Sequence, residues 1–84
     1  MKLERDGNGD FILDPDLLIA RFAVDAATFR RHMMLGMVTS IVENGEGEDC
    51  GRQRLTVRYG NQVWRAVIDG SLNVVNEETF VLGR

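Results

Sequence analysis

A single cysteine excludes an intrachain disulfide framework, and a single histidine excludes a His-rich metal site. The longest purely apolar run is Leu17 to Ala20, far short of the roughly 20 residues that cross a bilayer. Residues 1–10 alternate charge with glycine and contain no apolar stretch of a secretory signal. These absences lead to the expectation of a soluble, cytoplasmic protein with no membrane contact. Nucleophile elbow, phosphate-binding glycine loop and zinc spacing are also missing, as are internal repeats, low-complexity tracts and linkers. With a net charge of −3 there is no overall cationic field of the kind that attracts nucleic acid.

What remains is ordinary globular material. The 84 residues are 44% apolar and 27% charged, so a single domain over residues 1–84 is expected rather than a disordered tail. A chain of this length buries only about 60% of the surface its unfolded form exposes, which makes its stability marginal or shared with a partner.

The pattern predicts an α+β fold, two short N-terminal helices followed by an antiparallel meander of three to four strands. Asp6-Gly7-Asn8-Gly9-Asp10 reads as a turn, and Phe11-Ile12-Leu13 as a short strand. Asp14-Pro15 opens a helix that runs to about Phe22, the aspartate capping free N–H groups and the proline sitting where no N–H is missed. Asp25 caps a second helix through Leu35, and Gly36 ends it. Ala26, Phe29 and Met33 share one stripe of that helix, while Met34 and Leu35 fall outside it. A helix apolar on more than one side either lies between the first helix and a sheet or meets a second subunit.

Met37 to Val42 reads as a strand and residues 44–49 as a polar loop. Gln53 to Tyr59 and Val63 to Ile68 are strands joined at Gly60-Asn61. Folding there pairs Tyr59 with Gln62, Val57 with Trp64 and Leu55 with Ala66. The other face then carries Arg58 beside Val63, Thr56 beside Arg65 and Arg54 beside Val67. Leu72 to Val75 is a further strand, and the remaining residues are a last strand or a tail.

The small net charge hides an asymmetry. Residues 43–49 carry −4, whereas residues 50–68 carry four arginines and no acid. Arginine suits bidentate contact with carboxylate or phosphate. The plain expectation is that these arginines pair with the acidic loop and tail of their own chain. The sharper one is an anionic partner, an acidic protein or less readily a nucleic acid, docking on Arg54, Arg58 and Arg65.

Other candidates are weaker. Asp6-x-Asn8-x-Asp10 fails as a calcium loop, with Phe11 where glycine belongs and Leu17 where glutamate belongs. His32 with Met33, Met34 and Met37 has the donors for a small-ligand or Cu(I) sensor, but core packing explains them more simply. Cys50 lacks a nearby histidine and reads as a loop thiol. Asp14/Asp16 look like helix-start chemistry and Glu77/Glu78 like a solvated turn. No catalytic residue, metal site or cofactor is expected, and the chain reads as a non-enzymatic binding module.

Two stretches carry resemblances. Leu18 to Arg31, with Ala23 at a turn, Asp25 capping, Phe29 buried and Gly36 closing the second helix, resembles the helix-turn-helix of excisionase- and MerR-like winged domains. That resemblance implies a DNA-binding regulator in which Ala27, Arg30 and Arg31 face a major groove and Arg54 or Arg58 touches phosphates from a wing. Over nearly the whole chain, Gly36-x-Val38-Thr39-Ser40, Glu43-x-Gly45, Glu48-Asp49-x-Gly51-Arg52-x-Arg54-Leu55-Thr56, Gly60-Asn61 and Arg65-x-Val67-x-Asp69 resemble a family of small proteobacterial proteins known as a domain of unknown function. It implies a bacterial single-domain protein and no particular activity. The two-sided helix and the open strand edges of a short meander further point to a homodimer.

Overall fold

The computed structural model describes residues 1–83, with the backbone alone at Asp49. The elements follow in the order β1 (Glu4–Arg5), β2 (Phe11–Ile12), α1 (Pro15–Phe22), α2 (Ala26–Met34), β3 (Val38–Asn44), β4 (Gln53–Tyr59), β5 (Gln62–Ile68) and β6 (Val74–Val81), with a 3₁₀ turn at Gly47–Asp49 before β4. The last four strands form one antiparallel sheet in chain order, β3-β4-β5-β6, and β1 pairs with β2 in a separate ribbon. The α+β expectation therefore holds, with the small ribbon as an addition.

Local chemistry sets the boundaries. The Asp14 carboxylate accepts the Asp16 amide at 2.9 Å, and the Asp25 carboxylate accepts the Thr28 amide at 2.9 Å, so both helices are capped as their sequences predict. Ala23 ends α1 in the left-handed region at φ 52°, a strained conformation for a residue with a Cβ, and its amide still bonds to the Ile19 carbonyl. At the ribbon, Asp6 accepts the amides of Asn8 and Asp10, closing the expected turn.

The β4–β5 register matches the sequence prediction pair for pair from Arg54↔Val67 to Tyr59↔Gln62, and extends it by Gln53↔Ile68. Several boundaries differ from expectation, most of them by one residue, and two by more. Strand β3 runs two residues further, to Asn44, because Glu43 and Asn44 pair with Arg54 and Gln53. The fourth strand begins at Val74 rather than Leu72, since Leu72 sits at φ 68° in a turn whose amides at Ser71 and Asn73 bond to the Asp69 carboxylate.

Both helices pack on one face of the sheet. Leu18, Phe22 and Phe29 meet Leu55, Val57, Trp64, Ala66 and Ile68 in one core cluster that also takes in Leu3. Tyr59 closes its edge, 5.0 Å from the Phe29 ring and 5.9 Å from Phe22. Of the second helix, Phe29 is buried and Met33 packs against the cluster, but Met34 is 88% exposed. Met34 and Leu35 thus lie outside any sandwich of helix and sheet.

These burials differ enough to be measured. Phe29→Ala removes a fully buried ring and is expected to cost about 3–5 kcal/mol, most of the stability of so small a domain. Met34→Ala is expected to shift stability by less than about 0.5 kcal/mol. Urea unfolding followed by Trp64 fluorescence distinguishes them.

Candidate functional site: the open face of the sheet

Alternation along the strands sends half of the sheet's side chains away from the helices. On that open face β3 contributes Thr39, Ile41 and Glu43, β4 contributes Arg54, Thr56 and Arg58, β5 contributes Val63, Arg65 and Val67, and β6 contributes Asn76, Glu78 and Phe80. All three arginines singled out from the sequence stand together here.

Their charges are not equivalent. Arg54 donates from Nη2 and Nε to Glu43 Oε1 at 2.9 and 3.1 Å, its cross-strand neighbour. Arg65 lies 3.6 Å from Glu78 Oε1 and donates to Thr56 Oγ1 at 3.4 Å. Its guanidinium also sits 5.2 Å from the centre of the Phe80 ring. Arg58 donates only to the Gly60 carbonyl, at 3.1 Å, and among the described residues it has no carboxylate partner. Pairing among the described residues thus accounts for Arg54 and Arg65, not for Arg58.

Between Arg58 and Arg65 lies a groove of about 300 Å³ floored by Ile41, Val63 and Phe80. Val63 is only 3% exposed even though it faces away from the helices. Its neighbours on this face therefore cover it, which makes the groove an apolar floor with cationic walls.

The other candidates are dispersed. Arg30 and Arg31 are exposed on α2, and Arg30 is held by an ion pair to Asp16 on the preceding helix. His32 Nδ1 shares a 2.6 Å hydrogen bond with the Tyr59 hydroxyl, which ties it to the aromatic edge of the core rather than to the methionines. Cys50 is an exposed loop thiol. Among the described residues no group of three or more His, Cys, Asp or Glu is placed to hold a metal ion, and no helix is long and apolar enough to cross a membrane.

Glu77 requires a correction. The sequence suggests a solvated turn, but Glu77 lies on β6 and faces the helices. Its Oε1 accepts the Trp64 indole N–H at 2.9 Å, and Arg21 of α1 forks onto both oxygens at 2.5 and 3.2 Å. The signal was available in principle: a buried tryptophan needs an acceptor, and Glu77 stands two strand positions before Thr79, its cross-strand partner.

The Arg21 hydrogen bonds, then the Trp64 N–H, hold the Glu77 carboxyl below its ordinary value of 4.5. Asp25 and Asp69 are lowered in the same direction by the Thr28 and Asn73 amides. A carboxyl depressed in the folded state contributes stability that is fully present above its unfolded value and is lost as pH falls through the folded one. Stability is therefore expected to fall with acidification below about pH 4.5. Glu77→Gln is expected to flatten that fall and to cost about 1–2 kcal/mol at neutral pH. Urea midpoints between pH 3 and 7, read on both proteins, check the sign.

No curated protein and no solved structure matches the chain, and nothing found confirms the helix-turn-helix resemblance. A model of a family of unknown function, DUF6522, matches residues 1–84. The chain belongs to that family, in agreement with the resemblance carried by its second half.

Proposed function

We propose that this protein is a cytoplasmic, non-enzymatic binding module whose open sheet face receives an acidic segment of a protein partner. The observation that carries this reading is Arg58, a guanidinium with no carboxylate partner among the described residues, at the wall of an apolar groove. A carboxylate and an adjacent apolar side chain would be taken up together, the first by Arg58 and the second over Ile41 and Phe80. Arg65 supports the wall, and Arg54 is largely compensated by Glu43.

A nucleic-acid backbone fits this face less well. Phosphate tracking draws on several uncompensated cations, and two of the three arginines here already face carboxylates. The winged-helix reading rests on Arg30 and Arg31, of which Arg30 is engaged by Asp16.

The test uses a labelled peptide that alternates glutamate with phenylalanine, and a counterpart with glutamine for glutamate. Anisotropy is expected to show binding of the acidic peptide alone, weakened at least tenfold by Arg58→Glu and unchanged by Arg31→Ala. Equal binding of both peptides, or indifference to Arg58→Glu, would overturn the assignment. Salt-sensitive binding to mixed-sequence duplex DNA that is lost in Arg30→Ala/Arg31→Ala would replace it with the helix-turn-helix reading.

A further inference from the structure

The two edges of the main sheet are built differently. Strand β6 is bulged where it meets Val67 and Ile68, carries Glu77 and Glu78, and is strapped at its start by the N-terminus, with the Val74 amide on the Met1 carbonyl at 2.8 Å. Bulges, charges and covering segments are the usual protections of a sheet edge. Strand β3 has almost none of them. Its ladder to β4 runs from Val38 to Asn44 without a register shift, it contains no proline or basic residue, and Glu43 is its one charge.

The pairing pattern identifies which groups of β3 are open. Tyr59↔Gln62 closes a two-residue hairpin and is a hydrogen-bonded pair, so alternate β4 residues turn toward β3. The Gly45 amide on the Arg52 carbonyl at 2.8 Å continues that ladder. Odd-numbered positions of β3 thus bond to β4, and Val38, Ser40, Val42 and Asn44 direct their N–H and C=O groups outward. Exposed apolar side chains gather on the same strand and the helix end leading into it, with Leu35 68%, Met37 51%, Ile41 64% and Val42 45% exposed.

We propose that a second copy of this chain pairs with β3 in antiparallel fashion about a twofold axis through Ile41. In that register every β3 residue has a partner, the outward groups of Ser40 meet those of Val42 of the second copy, and Ile41 stacks on Ile41 of the second copy. Both copies keep their helices on the same side of one continuous sheet.

Charge selects this register and this occupant. Glu43 falls opposite Thr39 of the second copy, and Thr39 is itself paired with Arg58. One row across the open face therefore reads Arg54, Glu43, then Thr39 and Arg58 of the second copy. Glu43 of each copy comes within side-chain reach of the arginine that has no carboxylate among the described residues of its own chain, and the two Glu43 side chains stay apart. The Arg58 fork has donors enough for Glu43 of the second copy and for an incoming carboxylate. The pairing does not depend on the acidic-partner reading, because it is measured on the protein alone.

Light scattering on the eluted full-length protein is expected to give the mass of two chains. Ser40→Pro removes an outward N–H and leaves the β3–β4 bonds intact, so the mass of one chain with an unchanged far-UV spectrum is expected. Glu43→Arg and Arg58→Glu are each expected to be monomeric alone, and an equimolar mixture is expected to regain the two-chain mass. Ile41→Cys in a Cys50→Ser background is expected to cross-link on oxidation, since non-hydrogen-bonded partners lie about 4.5 Å apart. Thr39→Cys in the same background is expected not to, its two copies being roughly 13 Å apart along the strands. A wild-type monomer at the highest soluble concentration would overturn the proposal. So would a dimer that persists in Ser40→Pro, a mixture that stays monomeric, or equal cross-linking at both positions.

Discussion

The Trp64 indole must bring its N–H into the core, and the acceptor it finds on Glu77 organises much of the molecule around it. A buried N–H without a partner is costly, and a carboxylate placed beside a core is costly unless it too is matched. Arg21 resolves the second problem from the helix layer. One carboxylate thereby joins β5, β6 and α1, and the position of α1 over the sheet follows from it. The aromatic edge of Phe22, Phe29 and Tyr59 then settles α2 against the same face, with His32 bonded to the tyrosine hydroxyl. The helices cover the β4 and β5 part of that side, and most of the sheet's charge lies on the other.

That division explains which features could be read in the sequence. Both helices were legible from their caps, since Asp14-Pro15 and Asp25 act within a few residues of where they stand. The hairpin was legible because Gly60-Asn61 fixes the register, and the register alone assigns Arg54, Arg58 and Arg65 to one face. Strand β6 was not legible in the same way. The extra residue of β6 opposite Val67 and Ile68 reverses the alternation counted from Val74, so a strict period of two would have placed Glu77 outward. The turn of the β1–β2 ribbon was legible in Asp6 to Asp10, but the contacts that fix the ribbon to the sheet, such as Arg5 to Gln53, are tertiary and no local pattern announces them. At the candidate site, segment charge located the arginines but gave no information on their partners. That Arg58 differs from Arg54 and Arg65 depends on what stands beside each across the strands.

The helix-turn-helix resemblance shows the same limit from the other side. Two short capped helices joined at Ala23 are what the sequence of a DNA-reading motif and the sequence of a lid over a sheet both produce. Here the pair covers Leu55, Val57 and Trp64, and the ion pair between Arg30 and Asp16 fastens one helix to the other. Likeness of the local pattern carries the fold of the segment and leaves its use to the surroundings.

Strand order in the main sheet equals chain order, and this bears on how the molecule assembles and loosens. Each strand meets its neighbour through a short connection, so the sheet closes only small loops as it forms. The helices and the first residues are different. Arg21 reaches Glu77 across 56 positions, and Met1 reaches Val74. Those closures reward the chain only once the sheet exists to receive them. The meander can thus form from short-range closures alone, whereas the helical lid and N-terminal strap gain their long-range contacts only against a sheet already in place.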